Sequence, residues 1–211
     1  MKNYDVYLFD FDFTLADSGD GIAICFQKLF KNNGYDVDDL AIKKTIGIPL
    51  RECFEILADM HDPKTLDEWC AEFEEYADVY MIPNTPLFPH TEGMLKRLKD
   101  AGKKIGIIST KRRIQVERSL DRFDIYGYID ILIAIEDVPV PKPDPTGILR
   151  AMDTLGGTRE NTLYTGDSTI DANAAKNAGL DFVAVTTGTT PAQDFQGLPY
   201  TRILTDIGQL F

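Results

Sequence analysis

Apolar positions along the chain fall into two kinds of pattern. Short unbroken runs occur at Tyr4–Asp10 (YDVYLFD), Lys104–Ser109 (KIGIIS), Ile129–Ile135 (IDILIAI), Thr162–Thr165 (TLYT) and Phe182–Val185 (FVAV). Runs of this length, bounded by polar or turn residues, predict buried strands. Between them the spacing becomes helical. Met94, Leu95 and Leu98 mark a helix over Glu92–Ala101 that Gly102 would stop, and Lys111–Phe123, Pro145–Leu155 and Ile170–Ala178 repeat the pattern. Strands alternating with helices predict an α/β fold. It is a Rossmann-like, doubly wound, mostly parallel sheet covered on both faces and joined by right-handed crossovers.

One stretch breaks the alternation. From Ser18 to Met81 no strand pattern occurs, only four helical segments separated by Gly34, Gly47-Ile48-Pro49 and Asp62-Pro63, before a return at Pro83-Asn84-Thr85-Pro86. An insertion of roughly 65 residues is too long for an ordinary crossover connection. It predicts an inserted all-helical cap domain over 17–83, with the α/β core made of 1–16 and 84–211. The rival arrangement has these helices packed on the sheet as part of one domain. Phe26, Phe30, Phe54, Trp69, Phe73 and Tyr76 would form the cap's own core. No internal repeat or low-complexity segment is visible.

Charge narrows the partners. Among 211 residues, 22 Lys and Arg stand against 34 Asp and Glu, a net charge of −12. That balance opposes nucleic-acid binding, which needs a basic surface to replace phosphate counterions, and also opposes an anionic membrane surface. No apolar run approaches the roughly 20 residues of a membrane span, and the first residues are acidic where a signal peptide would be apolar. Three cysteines, Cys25, Cys53 and Cys70, suit reduced thiols. The expectation is a cytoplasmic protein, monomeric or homodimeric, with no nucleic-acid or membrane partner.

Several chemistries drop out on inspection. The chain has no G-x-x-x-x-G-K-[ST] phosphate loop, no G-x-G-x-x-G, no G-x-S-x-G elbow and no cysteine with an arginine six residues on. His61 and His90 are isolated. Carboxylates remain. Asp10-Phe11-Asp12-Phe13-Thr14 ends the first strand, where open parallel sheets place their ligands. Asp10 and Asp12, two apart, would share a side in extended chain, and two adjacent carboxylates need a cation or a shared proton. Thr165-Gly166-Asp167-Ser168-Thr169-Ile170-Asp171 repeats the arrangement at another strand end. Asp167 and Asp171 would share a helix face if the helix has begun by Asp167. Such an all-oxygen set suits Mg²⁺. Ser109-Thr110-Lys111 adds hydroxyls at a third strand end, before a helix whose first amides could bind an anion. Val140-Pro141-Lys142-Pro143-Asp144-Pro145 holds Lys142 in a proline-stiffened loop.

In this order and spacing the four segments resemble the four motifs of the haloacid dehalogenase superfamily, nearest to its phosphoglycolate phosphatase-like and β-phosphoglucomutase-like members. The resemblance runs from Asp10 through the helical insertion to Asp171 and Gly188. It implies a Mg²⁺-dependent phosphatase acting on a small phosphorylated metabolite through an aspartyl-phosphate. Asp10 would be the nucleophile, and Asp12 the general acid/base with its backbone carbonyl on the metal. Thr14, Ser109, Thr110 and Lys142 would meet the substrate. Asp167 would join Asp10 and Asp12 at the metal, with Asp171 supporting them. Arg51, in a stretch (Thr45–Arg51) resembling the cap loop that reads the leaving group, would meet a second anionic group, or would be a surface arginine in a helix's first turn. A sugar-phosphate mutase, or a non-catalytic regulator of the same fold, are the alternatives. The branch usually carries glycine where this chain has Phe13, which implies altered packing of a tight turn rather than lost chemistry.

Overall fold

The computed structural model of the protein describes residues 2–210. The apolar runs become β1 (Val6–Phe9), β2 (Lys104–Ile108), β3 (Ile131–Ile133), β4 (Thr162–Gly166) and β5 (Asp181–Val185), joined by β6 (Arg202–Leu204). They form one parallel six-stranded sheet in the order β3-β2-β1-β4-β5-β6. The helices are α1 (Gly19–Asn32), α2 (Asp39–Lys43), α3 (Leu50–Ala58), α4 (Pro63–Tyr76), α5 (Thr91–Asp100), α6 (Arg113–Asp121), α7 (Thr146–Thr154) and α8 (Thr169–Ala178). Among the described residues, no helix is long and apolar enough to cross a membrane.

Alternation along β1 explains why the sheet is covered on both faces. Tyr7 and Phe9 join one apolar cluster with Met94, Leu95 and Leu98 of α5 and Val116 and Leu120 of α6. Val6 and Leu8 join the other, with Ile148, Ala151 and Met152 of α7 and Ala172 and Ala175 of α8. A strand buried on both sides reads as the continuous apolar run seen in the sequence. The edge strand β6 gives no such signal. Its three residues pair with β5 in the register Val183↔Arg202, Ala184↔Ile203 and Val185↔Leu204, and only Leu204 is buried.

The chain divides into two compact units. One comprises residues up to Asp17 and from Leu87 onward; the other is Ser18–Pro86. In the helical unit, Phe26, Phe30, Phe54, Trp69 and Phe73 form a buried cluster in which Phe26 and Phe73 stand 4.8 Å apart, centroid to centroid. Tyr76 sits half-buried beside it, its hydroxyl donating to Glu72 at 2.7 Å. Asp62 caps α4 by accepting from the Thr65 amide at 2.8 Å, with Pro63 at the first helical position. The unit reaches past Pro83 because Ile82–Asn84 forms a 3-10 turn and the Thr85 hydroxyl donates to the Met81 carbonyl at 2.8 Å.

Candidate active site

Strand order reverses between β1 and β4, and in doubly wound sheets such a reversal opens a crevice beyond the strands' carboxyl ends. Phe9 is level with both Ile107 and Thr165. The residues that follow, Asp10, Ser109 and Asp167, therefore leave the sheet at one edge, and all are buried.

The chain does not stay extended after β1. The Phe11 carbonyl accepts the amides of Leu15 at 3.0 Å and Ala16 at 3.1 Å, closing a tight loop. Asp10 and Asp12 accordingly meet different lysines, instead of sharing one side of a strand. Lys142 Nζ donates to Asp10 Oδ1 at 2.7 Å, and Lys111 Nζ donates to Asp12 Oδ1 at 2.8 Å. Burial pushes the Asp10 carboxyl up to about 7, against the opposing pull of Lys142. Phe13, in the same loop, has φ +55°. This is the left-handed conformation for which glycine is suited, and a bulky residue holds it only where its surroundings over-determine it. The surroundings do so: the Phe13 amide donates to the Ala16 carbonyl at 2.8 Å, its carbonyl accepts from the Thr187 hydroxyl, and its ring is buried.

The second acidic segment is built differently from the shared helix face that the spacing suggests. Helix α8 begins only at Thr169, so Asp167 lies on the connection and Asp171 in the first turn. Ser168 caps the helix, and its hydroxyl donates to Asp171 Oδ2 at 2.6 Å. The other oxygen of Asp171 accepts from Lys142 at 2.7 Å and from the Tyr164 hydroxyl at 2.9 Å. Lys142 thus bridges two buried aspartates. Desolvation opposes its charge, but Asp10 and Asp171 outweigh it and raise its pKa. Asp167 has no such partner. Among the described residues its one hydrogen bond is from the Thr14 hydroxyl, at 3.5 Å. Burial first, then the charges of Asp171 and Asp10, hold its pKa far above the ordinary range.

These carboxylates fit a metal ion. Asp10, Asp167 and Asp171 each offer an oxygen, all within 4.8 Å of one another. Asp171 spends both of its oxygens on protein donors, whereas Asp167 is a buried acceptor that lacks a cation. A hard divalent cation would supply what Asp167 lacks. Space is kept for that carboxylate by Gly188, where an added Cβ would stand 1.9 Å from Asp167 Oδ2.

Other predicted residues are placed as follows. Ser109 is buried, and its hydroxyl accepts from the Lys111 amide at 3.1 Å; Thr110 is half-buried beside it. Two amides at the start of α6 already have side-chain acceptors. The Arg113 amide donates to Glu136 at 3.1 Å and that of Arg112 to Gln115 at 3.4 Å. Arg51, in the helical unit, donates to Asp67 at 2.6 Å and to the Pro63 carbonyl at 3.2 Å. Both histidines are exposed beside carboxylates, His61 with Asp59 and His90 with Asp206. Lys111 and Tyr164 escaped the sequence reading. Two aspartates two residues apart called for a compensating cation or a shared proton, and a fully buried tyrosine needs a partner for its hydroxyl; those were the available signals.

The chain is similar to known proteins over most of its length. A haloacid dehalogenase-like hydrolase family profile matches residues 7–185. A phosphoglycolate phosphatase of Aquifex aeolicus is 33% identical over 178 residues, covering 82% of this chain and 81% of its own length. The pyrophosphatase PpaX of Halalkalibacterium halodurans is 29% identical over 181 residues, covering 84% and 81% respectively. A crystal structure of a haloacid dehalogenase-like hydrolase from Bacteroides fragilis superposes with a TM-score of 0.95 at 47% identity, covering 99% of this chain and 100% of that one.

Proposed function

Because the chain belongs to the haloacid dehalogenase-like hydrolases, we propose that it is a Mg²⁺-dependent phosphatase that cleaves a small phosphorylated metabolite through an aspartyl-phosphate on Asp10. The observation that carries this reading is the buried set of Asp10, Asp167 and Asp171 within 4.8 Å, with Lys142 bridging Asp10 and Asp171 at 2.7 Å to each.

Lys142 holds Asp10 by Oδ1, which leaves Oδ2 to attack phosphorus. As the new O–P bond forms, the bond to the leaving group breaks and its electron pair departs with the leaving oxygen. Asp12, protonated, gives that oxygen its proton. In the second half, Asp12 takes a proton from water, which attacks phosphorus. The bond to Asp10 breaks, inorganic phosphate is released and the carboxylate is restored. Ser109, Thr110 and Lys142 hold the transferring oxygens throughout. Asp10, the Asp12 carbonyl and Asp167 would hold Mg²⁺, with Asp171 supporting them, and the bound ion would supply the positive charge that lets a phosphate approach this acidic site.

The phosphoglycolate phosphatase and pyrophosphatase relatives suggest the first substrates to try. A phosphate-release screen should contain phosphoglycolate, pyrophosphate and sugar phosphates, with and without Mg²⁺. Release should require the metal and no bisphosphate; a bisphosphate requirement would point to a mutase. Asp10→Asn should abolish turnover while the far-ultraviolet circular dichroism stays unchanged, since an amide cannot form the acyl-phosphate. Substantial steady-state release by a clean Asp10→Asn preparation would rule out the covalent route.

A further inference from the structure

Building on that reading of Asp12, we infer that Lys111 is the positioning residue of the general acid/base. Its Nζ takes Asp12 Oδ1 at 2.8 Å, with the side chains of both residues only 6% exposed. No other hydrogen bond reaches the Asp12 carboxylate among the described residues, so Oδ2 alone is open to a reacting group. This division decides which oxygen does chemistry. A carboxyl group accepting at Oδ1 from an ammonium carries its transferable proton on Oδ2, and the fixed rotamer aims that oxygen. Aim matters because proton transfer needs a heavy-atom separation of about 2.6–3.2 Å.

The lysine is itself anchored on both sides of its own backbone. Its amide donates to the Ser109 hydroxyl at 3.1 Å, and its carbonyl accepts from the Ile135 amide at 3.2 Å. Ser109 is one of the residues proposed to hold the phosphoryl group. The loop following β2 therefore ties the phosphate contact and the holder of the acid/base into one rigid piece. Stability alone is a weak reason for such a pair, because well-packed apolar residues usually replace a buried ion pair without loss. A directional, charge-assisted bond to one carboxylate oxygen is what apolar packing cannot supply.

Leaving-group dependence tests the assignment. Lys111→Met and Lys111→Arg are compared with the wild type in single-turnover release from an alkyl phosphate, whose alkoxide must be protonated, and from p-nitrophenyl phosphate, whose phenolate leaves unaided. Lys111→Met should slow the alkyl substrate at least roughly tenfold more than the aryl one, within the range that acid/base catalysis contributes, and Lys111→Arg should recover part of the difference. Equal losses on both substrates, meaning that Lys111 grips the phosphoryl group or only supports the fold, would overturn the proposal. So would an unchanged alkyl rate. If Lys111→Met does not fold by circular dichroism, Lys111→Gln takes its place. A crystal structure of the variant gives a readout independent of turnover: the Asp12 carboxylate should leave its present rotamer, and an unmoved carboxylate would overturn the assignment. A wild type inert toward every phosphate ester would count against the proposed function alone, and the crystallographic comparison would still decide the role of Lys111.

Discussion

Gly188 shows how a residue without a side chain can act on the proposed metal site. Its local sequence, Thr187-Gly188-Thr189, looks like an ordinary turn. Yet an added Cβ would stand 1.9 Å from Asp167 Oδ2 and 3.0 Å from the Phe13 Cβ. Phe13 cannot retreat easily, since it is buried and already in the left-handed region, so the carboxylate must give way. Gly188→Ala should therefore displace the Asp167 carboxylate. Residues that orient metal ligands are worth roughly 10–100-fold in metal affinity, and a loss of that size is expected in a Mg²⁺ titration. An unchanged midpoint would show that Asp167 has room to move. Phe13 itself carries two opposing terms, about 1–3 kcal/mol for an outlying backbone conformation and about 3–5 kcal/mol for the burial of an aromatic ring. The second is the larger, which is why phenylalanine can hold a glycine-like position here.

At the scale of elements, Asp130 joins three pieces of the sheet layer. Both of its oxygens accept from Lys99 of α5 at 2.8 Å, and one also accepts the Ile105 amide of β2 at 2.8 Å, immediately before β3 begins. Burial pushes its carboxyl up, but the Lys99 ammonium and the Ile105 amide outweigh that and hold it below the ordinary range. A depressed folded pKa stabilises the fold above the unfolded value, near 4, and that contribution fades as the pH falls through the folded value. Asp130→Ala leaves the Ile105 amide without its acceptor, which should cost about 1–3 kcal/mol at pH 7. The deficit against wild type, read from urea denaturation, should shrink as the pH falls below about 4, where the unfolded carboxyl takes up its proton, and through the lower folded value, where the native one does. A deficit that stays constant with pH would assign the loss to packing.

For the whole molecule, a small part of the net charge of −12 is buried at the site. There Asp10, Asp12, Asp167 and Asp171 are buried with only Lys111 and Lys142 among them. That imbalance makes the metal-free core unit less stable than it need be, because buried like charges repel and Asp167 has no cation. Mg²⁺ should raise the thermal midpoint of the wild type. At 100 times the dissociation constant the stabilisation would be about 2.7 kcal/mol, or several degrees for a unit of this size. Asp167→Asn should melt higher than the metal-free wild type and lose most of the Mg²⁺-dependent rise. An Asn variant that responds to Mg²⁺ as the wild type does would place the metal away from Asp167.

Local pattern determined much of this protein. Continuous apolar runs specify doubly covered strands, the long strand-free stretch sets the helical unit apart, and acidic or hydroxyl residues at strand ends mark the site. Each of these features lies within a few consecutive residues, where periodicity and turn chemistry act. Tertiary structure decided the rest. β6 is a strand only because β5 offers it a register. Asp167 and Asp171 meet across a helix cap rather than along a helix face, and the Arg112 and Arg113 amides and the guanidinium of Arg51 find acceptors in neighbouring protein groups. The site's ion pairs join residues far apart in sequence, 99 positions for Lys111 and Asp12 and 132 for Lys142 and Asp10. A one-dimensional pattern tells a side chain which face it occupies; only packing of the strands tells it which charge it will meet.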